Sequence, residues 1–132
     1  MRSVAFAAGL LALNALAFGA DRRGTYDSCC HSATFHLRAS SPQEPSDEIT
    51  LQVYFGGLSL NRYIAGADWW NAQGKRCSRS DQCEETKAAK LQFQKITDKR
   101  VSGNYVFESN QGRIEGQFSV KRRHQGKPCI CE

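Results

Sequence analysis

Apolar residues in this chain recur mostly at every second position, the period of a half-buried strand. The pattern is clearest from Val101 to Lys121, VSGNYVFESNQGRIEGQFSVK, which predicts two strands joined at Ser109-Asn110-Gln111-Gly112, where Asn and Gly supply the turn conformations. A two- or four-residue loop there sets Glu108 opposite Arg113, Phe107 opposite Ile114, Tyr105 opposite Gly116, Gly103 opposite Phe118 and Val101 opposite Val120. Two aromatics then each face a glycine, filling space that the glycine leaves. The other face, with Ser102, Asn104, Glu108, Glu115, Gln117 and Ser119, is mostly polar.

The same reading predicts a strand over His31–Ala39, with Ala33, Phe35 and Leu37 on one side, and another over Ile49–Phe55. The segment SSPQEPSD between them is a loop. Gly56-Gly57 either turns a hairpin or kinks a continuing strand; the hairpin is favoured, because it sets Phe55 against Leu58, Val53 against Leu60 and Ile49 against Ile64. Ala65–Glu85 is read as an irregular insertion, near whose end Asp81 and Glu84 can open a short helix that runs through Ala88-Ala89. Strand pattern resumes at Lys90 with Leu91 and Phe93, and reaches Ile96 after a slip; Pro128–Cys131 reads as a short last strand at an edge. The expected fold is all-β: a small antiparallel barrel or sandwich of six to seven strands, with one irregular disulfide-stapled insertion and room for one short helix.

One segment stands apart. Met1-Arg2, an apolar run from Val4 to Phe18 broken only by Asn14, and Ala15-Leu16-Ala17 or Ala17-Phe18-Gly19 form a secretory signal pattern over residues 1–20. The run is shorter than the ~20 apolar residues that a membrane-spanning helix needs, and no cysteine stands at the cleavage site to carry a lipid. Residues 21–132 are then one domain, secreted or periplasmic. The net charge of +5 loses only Arg2 with the leader. That mild basic bias permits anionic partners without demanding them.

Export changes how the cysteines are read. In an oxidising compartment Cys29, Cys30, Cys77, Cys83, Cys129 and Cys131 are disulfide candidates. Cys77 and Cys83 bracket a short polar loop and pair most naturally with each other. Cys29/Cys30 would then join Cys129/Cys131, with the order of pairing open. Neighbouring cysteines on a regular strand point to opposite faces, so a double link requires an irregularity near Cys29.

The pair Gly103-Asn104-Tyr105-Val106-Phe107 and Gly116-Gln117-Phe118-Ser119-Val120 resembles a hairpin of small exported bacterial β-sheet domains of unknown function. The resemblance implies a bacterial β-sheet domain and lends no catalytic residues.

Candidate chemistry is sparse. His31 adjoins two sulfurs, but a sulfur nucleophile must be a free thiolate, and these are expected to be oxidised. No serine stands in a Gly-x-Ser-x-Gly or Ser-x-x-Lys setting. Neither Cys-Cys nor Cys-x-Cys matches the spacing of structural zinc sites, and no cofactor motif is present, so neither metal nor cofactor is expected. Two binding candidates remain. Tyr63, Trp69, Trp70, Lys75, Arg76 and Arg79 could form an aromatic and cationic patch, with one tryptophan inward and the other outward. Arg122, Arg123 and Lys127 could engage anions, although such runs also serve as solvated turns that guard a strand edge. The reading is a monomeric, non-enzymatic binding or structural domain for a glycan, protein or anionic ligand, with no specific nucleic-acid binding. A small hydrolase-like enzyme using His31 or Asp68 with a site in the 63–85 insertion, or a secreted toxin or inhibitor, is the alternative.

Overall fold

A computed structural model describes residues 21–39, 47–79 and 82–123. Eight strands follow in order: β1 (Arg22–Cys29), β2 (Ser32–Ala39), β3 (Glu48–Tyr54), β4 (Trp69–Arg79), β5 (Gln82–Glu85), β6 (Ala88–Ile96), β7 (Arg100–Ser109) and β8 (Gly112–Arg122). A 3₁₀ turn, Arg62–Ile64, lies between β3 and β4. The sheet order is β3-β2-β1-β8-β7-β6-β4-β5, and β3 also pairs with β4, which closes seven strands into a barrel and leaves β5 as an extra strand along β4. Closure pairs the seven ring strands on both flanks, and the edge that remains is the short β5.

An odd number of strands cannot alternate direction all the way round a ring. One neighbouring pair must run parallel, and here it is β1 with β8, paired from Arg22↔Phe118 to Tyr26↔Arg122. Every other pairing is antiparallel.

The inward rows alternate as strand geometry requires. Phe35, Leu37, Ile49, Leu51, Val53, Leu91, Phe93, Val101, Tyr105, Phe107 and Val120 are fully buried. Phe35 sits among Tyr26, Phe93 and Phe118 with ring centroids 5.5 to 6.1 Å apart. Side chains fill the barrel, as expected for a ring this small. At the end where β1 starts, the filling turns polar. Arg22 donates through Nε to the Tyr105 hydroxyl (3.1 Å) and through Nη2 to Asp47 Oδ2 (2.9 Å), and Arg76 donates to both Asp47 oxygens (3.0 Å each). At the opposite end the β3–β4 connection folds across the mouth: Ile64 is buried, Leu60 packs on the core and Gly66 N–H donates to the Phe93 carbonyl.

The β7–β8 hairpin has the expected register, from Val101↔Val120 through Glu108↔Arg113, around a two-residue Asn110-Gln111 turn. The slip before Ile96 is a register shift between Phe93 and Lys95. Gly103 belongs to the same design. A Cβ there would lie 1.8 Å from the Gln92 carbonyl oxygen, so the β6 backbone approaches where only a glycine leaves room.

Three expectations are corrected. Gly56-Gly57 does turn the chain, with Leu58 N–H donating to the Phe55 carbonyl, but no strand returns along β3. Leu58 is exposed, and the partner of Val53 is Ala72. Second, much of 65–85 is regular: Trp69–Arg79 is one of the two longest strands, hidden from pattern reading because its inward row is Trp70, Ala72, Gly74 and Arg76. Third, the residues expected to form a helix instead continue along β4 as β5 and β6, broken only at Thr86-Lys87. The first strand was not expected at all. Its inward positions are Arg22, Gly24, Tyr26 and Ser28, a row with one hydrophobic member.

Cys77 and Cys83 face each other across β4 and β5 and are disulfide-bonded. Cys29 and Cys30 are also disulfide-bonded, though not to each other, since their sulfurs stand 3.9 Å apart. Cys29 ends β1 and Cys30 enters a tight turn with φ +55°, the irregularity that brings two sulfurs a regular strand would send to opposite faces close together. Cys129, Cys131, the strand expected at Pro128–Cys131, the leader expected at 1–20 and residues 40–46 of the expected loop lie outside the described residues.

Candidate binding cleft at the barrel mouth

The inward rows of β1 and β8 do not stop where the apolar core stops. On β8, Phe118 and Val120 are buried and the next inward position, Arg122, is exposed. On β1, the row runs from buried Tyr26 to Ser28. Together with Ile96 at the end of β6, Thr97 and Asp98 just beyond it, and Leu60–Tyr63 of the folded-over connection, these residues line a cleft of about 700 Å³. The barrel supplies its floor and the connection one wall.

The connection is held by local chemistry. Asn61 caps the 3₁₀ turn, its Oδ1 accepting from the Tyr63 N–H at 2.8 Å. That fixes Arg62 and Tyr63 side by side: Arg62 Nη2 donates to the Tyr63 hydroxyl at 2.8 Å, and its guanidinium lies 4.9 Å from the ring centre. The Tyr63 ring is 77% exposed. On the far wall, Thr97 Oγ1 accepts from the Arg100 N–H and closes the turn that presents Asp98. Arg122 has no carboxylate within ion-pairing distance among the described residues. Burial pushes the Tyr26 phenol above its ordinary value; the nearby Arg122 opposes this and Asp98 adds to it. Tyr26 therefore remains a neutral hydroxyl at physiological pH. The cleft offers two guanidinium groups, one carboxylate, an exposed aromatic ring and small polar side chains.

Of the residues expected to bind, Tyr63 and Arg122 meet here. The rest disperse. Trp69 is 41% exposed on the outer barrel face, with Lys90 Nζ 5.1 Å from its ring centre, beside a shallow groove that includes Arg113 and Glu115. Trp70 turns inward onto Phe55, with centroids 5.2 Å apart. Lys75 is exposed further along β4, and Arg79 ends that strand across from Gln82. Arg76 is committed to Asp47 at the far end. Arg123 points outside the barrel and pairs with Asp27, and Lys127 lies outside the described residues. His31 Nδ1 stands 3.4 Å from the Leu58 carbonyl, and Asp68 is exposed; no hydrogen bond joins the two. His36 lies on the outer face between Asp27 (3.6 Å) and Glu48 (3.9 Å). Among the described residues, no group of three or more His, Cys, Asp or Glu side chains is placed to hold a metal.

Comparison with protein-family models, with curated proteins and with solved structures finds no match. The site therefore stands on its own geometry.

Tyr26, Ser28, Arg62 and Asp98 were missed from sequence. Arg62 alone left a trace, as a cation beside an aromatic already marked. The others gather only because the barrel brings the ends of β1, β6 and β8 to one rim.

Proposed function

We propose that this chain is an exported, non-enzymatic binding domain that holds a small polar ligand in the cleft at the barrel mouth. The observation that carries the reading is Arg122, a cation on an inward row, facing a cleft it shares with Arg62 and the exposed ring of Tyr63. The interior below is filled, so a ligand binds at the mouth or not in the barrel at all. Four bonded cysteines on two hairpins and the leader-like first 20 residues favour an oxidising compartment. Among the described residues no helix is long and apolar enough to cross a membrane. The resemblance of the β7–β8 hairpin to exported bacterial β domains fits the same setting.

The test is a ligand-observed and protein-observed NMR screen with a mixed panel of sugars, nucleotides, amino acids and carboxylic acids. Hits should shift the amides of residues 26–28, 61–63, 96–98 and 122, and Arg122→Ala should abolish those shifts while Trp69→Ala leaves them. Hits clustering at Trp69 and Lys90, with the mouth silent, would move the site to the outer face.

A further inference from the structure

Resting on that reading, we infer that the mouth cleft takes an acidic saccharide: a sugar ring that carries a carboxylate or sulfate. Three features of the lining converge on this class.

The first is charge. Arg62 and Arg122 face the cleft, and among the described residues the only acidic one lining it is Asp98. Guanidinium groups suit planar or tetrahedral oxyanions, to which they donate paired hydrogen bonds. The second is Asp98 itself. A bare anion would be repelled by this carboxylate, whereas a ligand that also carries hydroxyl groups can donate to it. The mixed signs therefore favour a hydroxyl-rich anion over inorganic phosphate or sulfate. The third is the ring of Tyr63, 77% exposed, with its hydroxyl already engaged by Arg62. A sugar face can stack on such a ring, with its acidic group directed to the guanidinium beside it. Ser28 Oγ, Asn61 Nδ2 and the neutral Tyr26 hydroxyl add the neutral donors and acceptors that sugar hydroxyls require.

The geometry separates this class from its neighbours. A fatty acid would need an apolar tunnel, and the interior is closed by Phe93, Phe118 and their neighbours. A long nucleic-acid strand would need several stacking platforms in series. Among the described residues, Tyr63 is the one exposed ring in the cleft.

The experiment titrates full-length mature protein, disulfides intact, with methyl β-glucuronide, methyl β-glucoside and sodium sulfate, following amide shifts at the mouth. The glucuronide should bind in the cleft at least tenfold more tightly than either other probe. Arg122→Ala should weaken it by about tenfold to a hundredfold, the loss of a charge-assisted contact. Arg122→Lys should recover part of that loss, and unchanged melting temperatures would exclude misfolding as the cause. If the glucoside binds as well as the glucuronide, the requirement for an acid is overturned. If sulfate matches the glucuronide, the requirement for a sugar is overturned. If neither sugar shifts the mouth while other compounds of the screening panel do, the saccharide assignment fails and the cleft survives as a site. If no compound of any kind shifts it, both fall.

Discussion

Replacing Asp47 by asparagine tests the polar end of the barrel. The Asp47 carboxylate is 3% exposed and accepts three hydrogen bonds, one from Arg22 at 2.9 Å and two from Arg76 at 3.0 Å. Asparagine keeps the shape and removes the charge. Arg76, 27% exposed, can then turn to water, but Arg22, 3% exposed, cannot. It retains the Tyr105 hydroxyl and the Leu37 carbonyl and loses the one counter-ion it has among the described residues. Leaving one member of a buried pair uncompensated costs about 3–5 kcal/mol. For a domain of this size that is a fall in Tm of about 12–20 °C. Differential scanning calorimetry on disulfide-intact protein measures it.

Acid titration gives a second reading of the same group. Burial alone would raise the Asp47 pKa, but the hydrogen bonds and charges of Arg76 and Arg22 outweigh it and hold the carboxyl below its usual value. The folded state thus binds this proton less readily than the unfolded chain does. Stability from Asp47 is present above about pH 4 and is lost as the pH falls through the folded value. Asp47→Asn should flatten that acid limb. The double variant Arg22→Met, Asp47→Leu, which removes both charges, should recover much of the lost Tm. A single variant that melts within about 3 °C of the parent with its acid limb intact would refute the reasoning, since that is under 1 kcal/mol.

Other consequences follow from the barrel wall and its crosslinks. Gly103→Ala should destabilise by at least ~2 kcal/mol, read by urea denaturation, because the added methyl meets backbone rather than a movable side chain. Cys77→Ser with Cys83→Ser should cost at most about 2.4 kcal/mol for so short a loop, and the β4–β5 amides should lose hydrogen-exchange protection before the rest. Tyr26 and Tyr105 are both raised by burial, so ultraviolet titration should show a late phase that Tyr26→Phe and Tyr105→Phe remove in turn. Because folding holds these protons more tightly, stability should fall as the pH rises past about 10. Trp70→Ala should destabilise by about 3–5 kcal/mol through its contact with Phe55, while Trp69→Ala should change stability little.

The fold was legible wherever the inward row is hydrophobic. Phe35 and Leu37 mark β2, Ile49, Leu51 and Val53 mark β3, and the β7–β8 register could be written from Tyr105, Gly116, Gly103 and Phe118 alone. It was illegible where packing uses other means. In β1 the inward row buries an arginine against a carboxylate and a phenol, and in β4 it passes a glycine and another arginine. Such positions read as loop because a pattern carries no record of a partner 25 residues away. The Gly56-Gly57 turn was found and its sequel misread, because a turn fixes where a chain reverses but not what then lies beside it. The cleft was half visible. Tyr63 and Arg122 stand out by residue type, but only a closed ring shows that the end of β8 meets the residues after β3.

The parallel seam between β1 and β8 has a consequence for how the molecule is made. Asp27 and Arg123, which clasp across it, are 96 positions apart. The hairpins can zip up as they emerge, but the amino-terminal strand must wait, one flank unsatisfied, until nearly all the chain has arrived. Joining such distant partners is the slowest kind of step in folding. A chain whose β8 has not yet arrived is an open curtain of strands, prone to stick to its neighbours, and a chaperone that shields the flank of β1 would serve this protein better than one that helps it collapse.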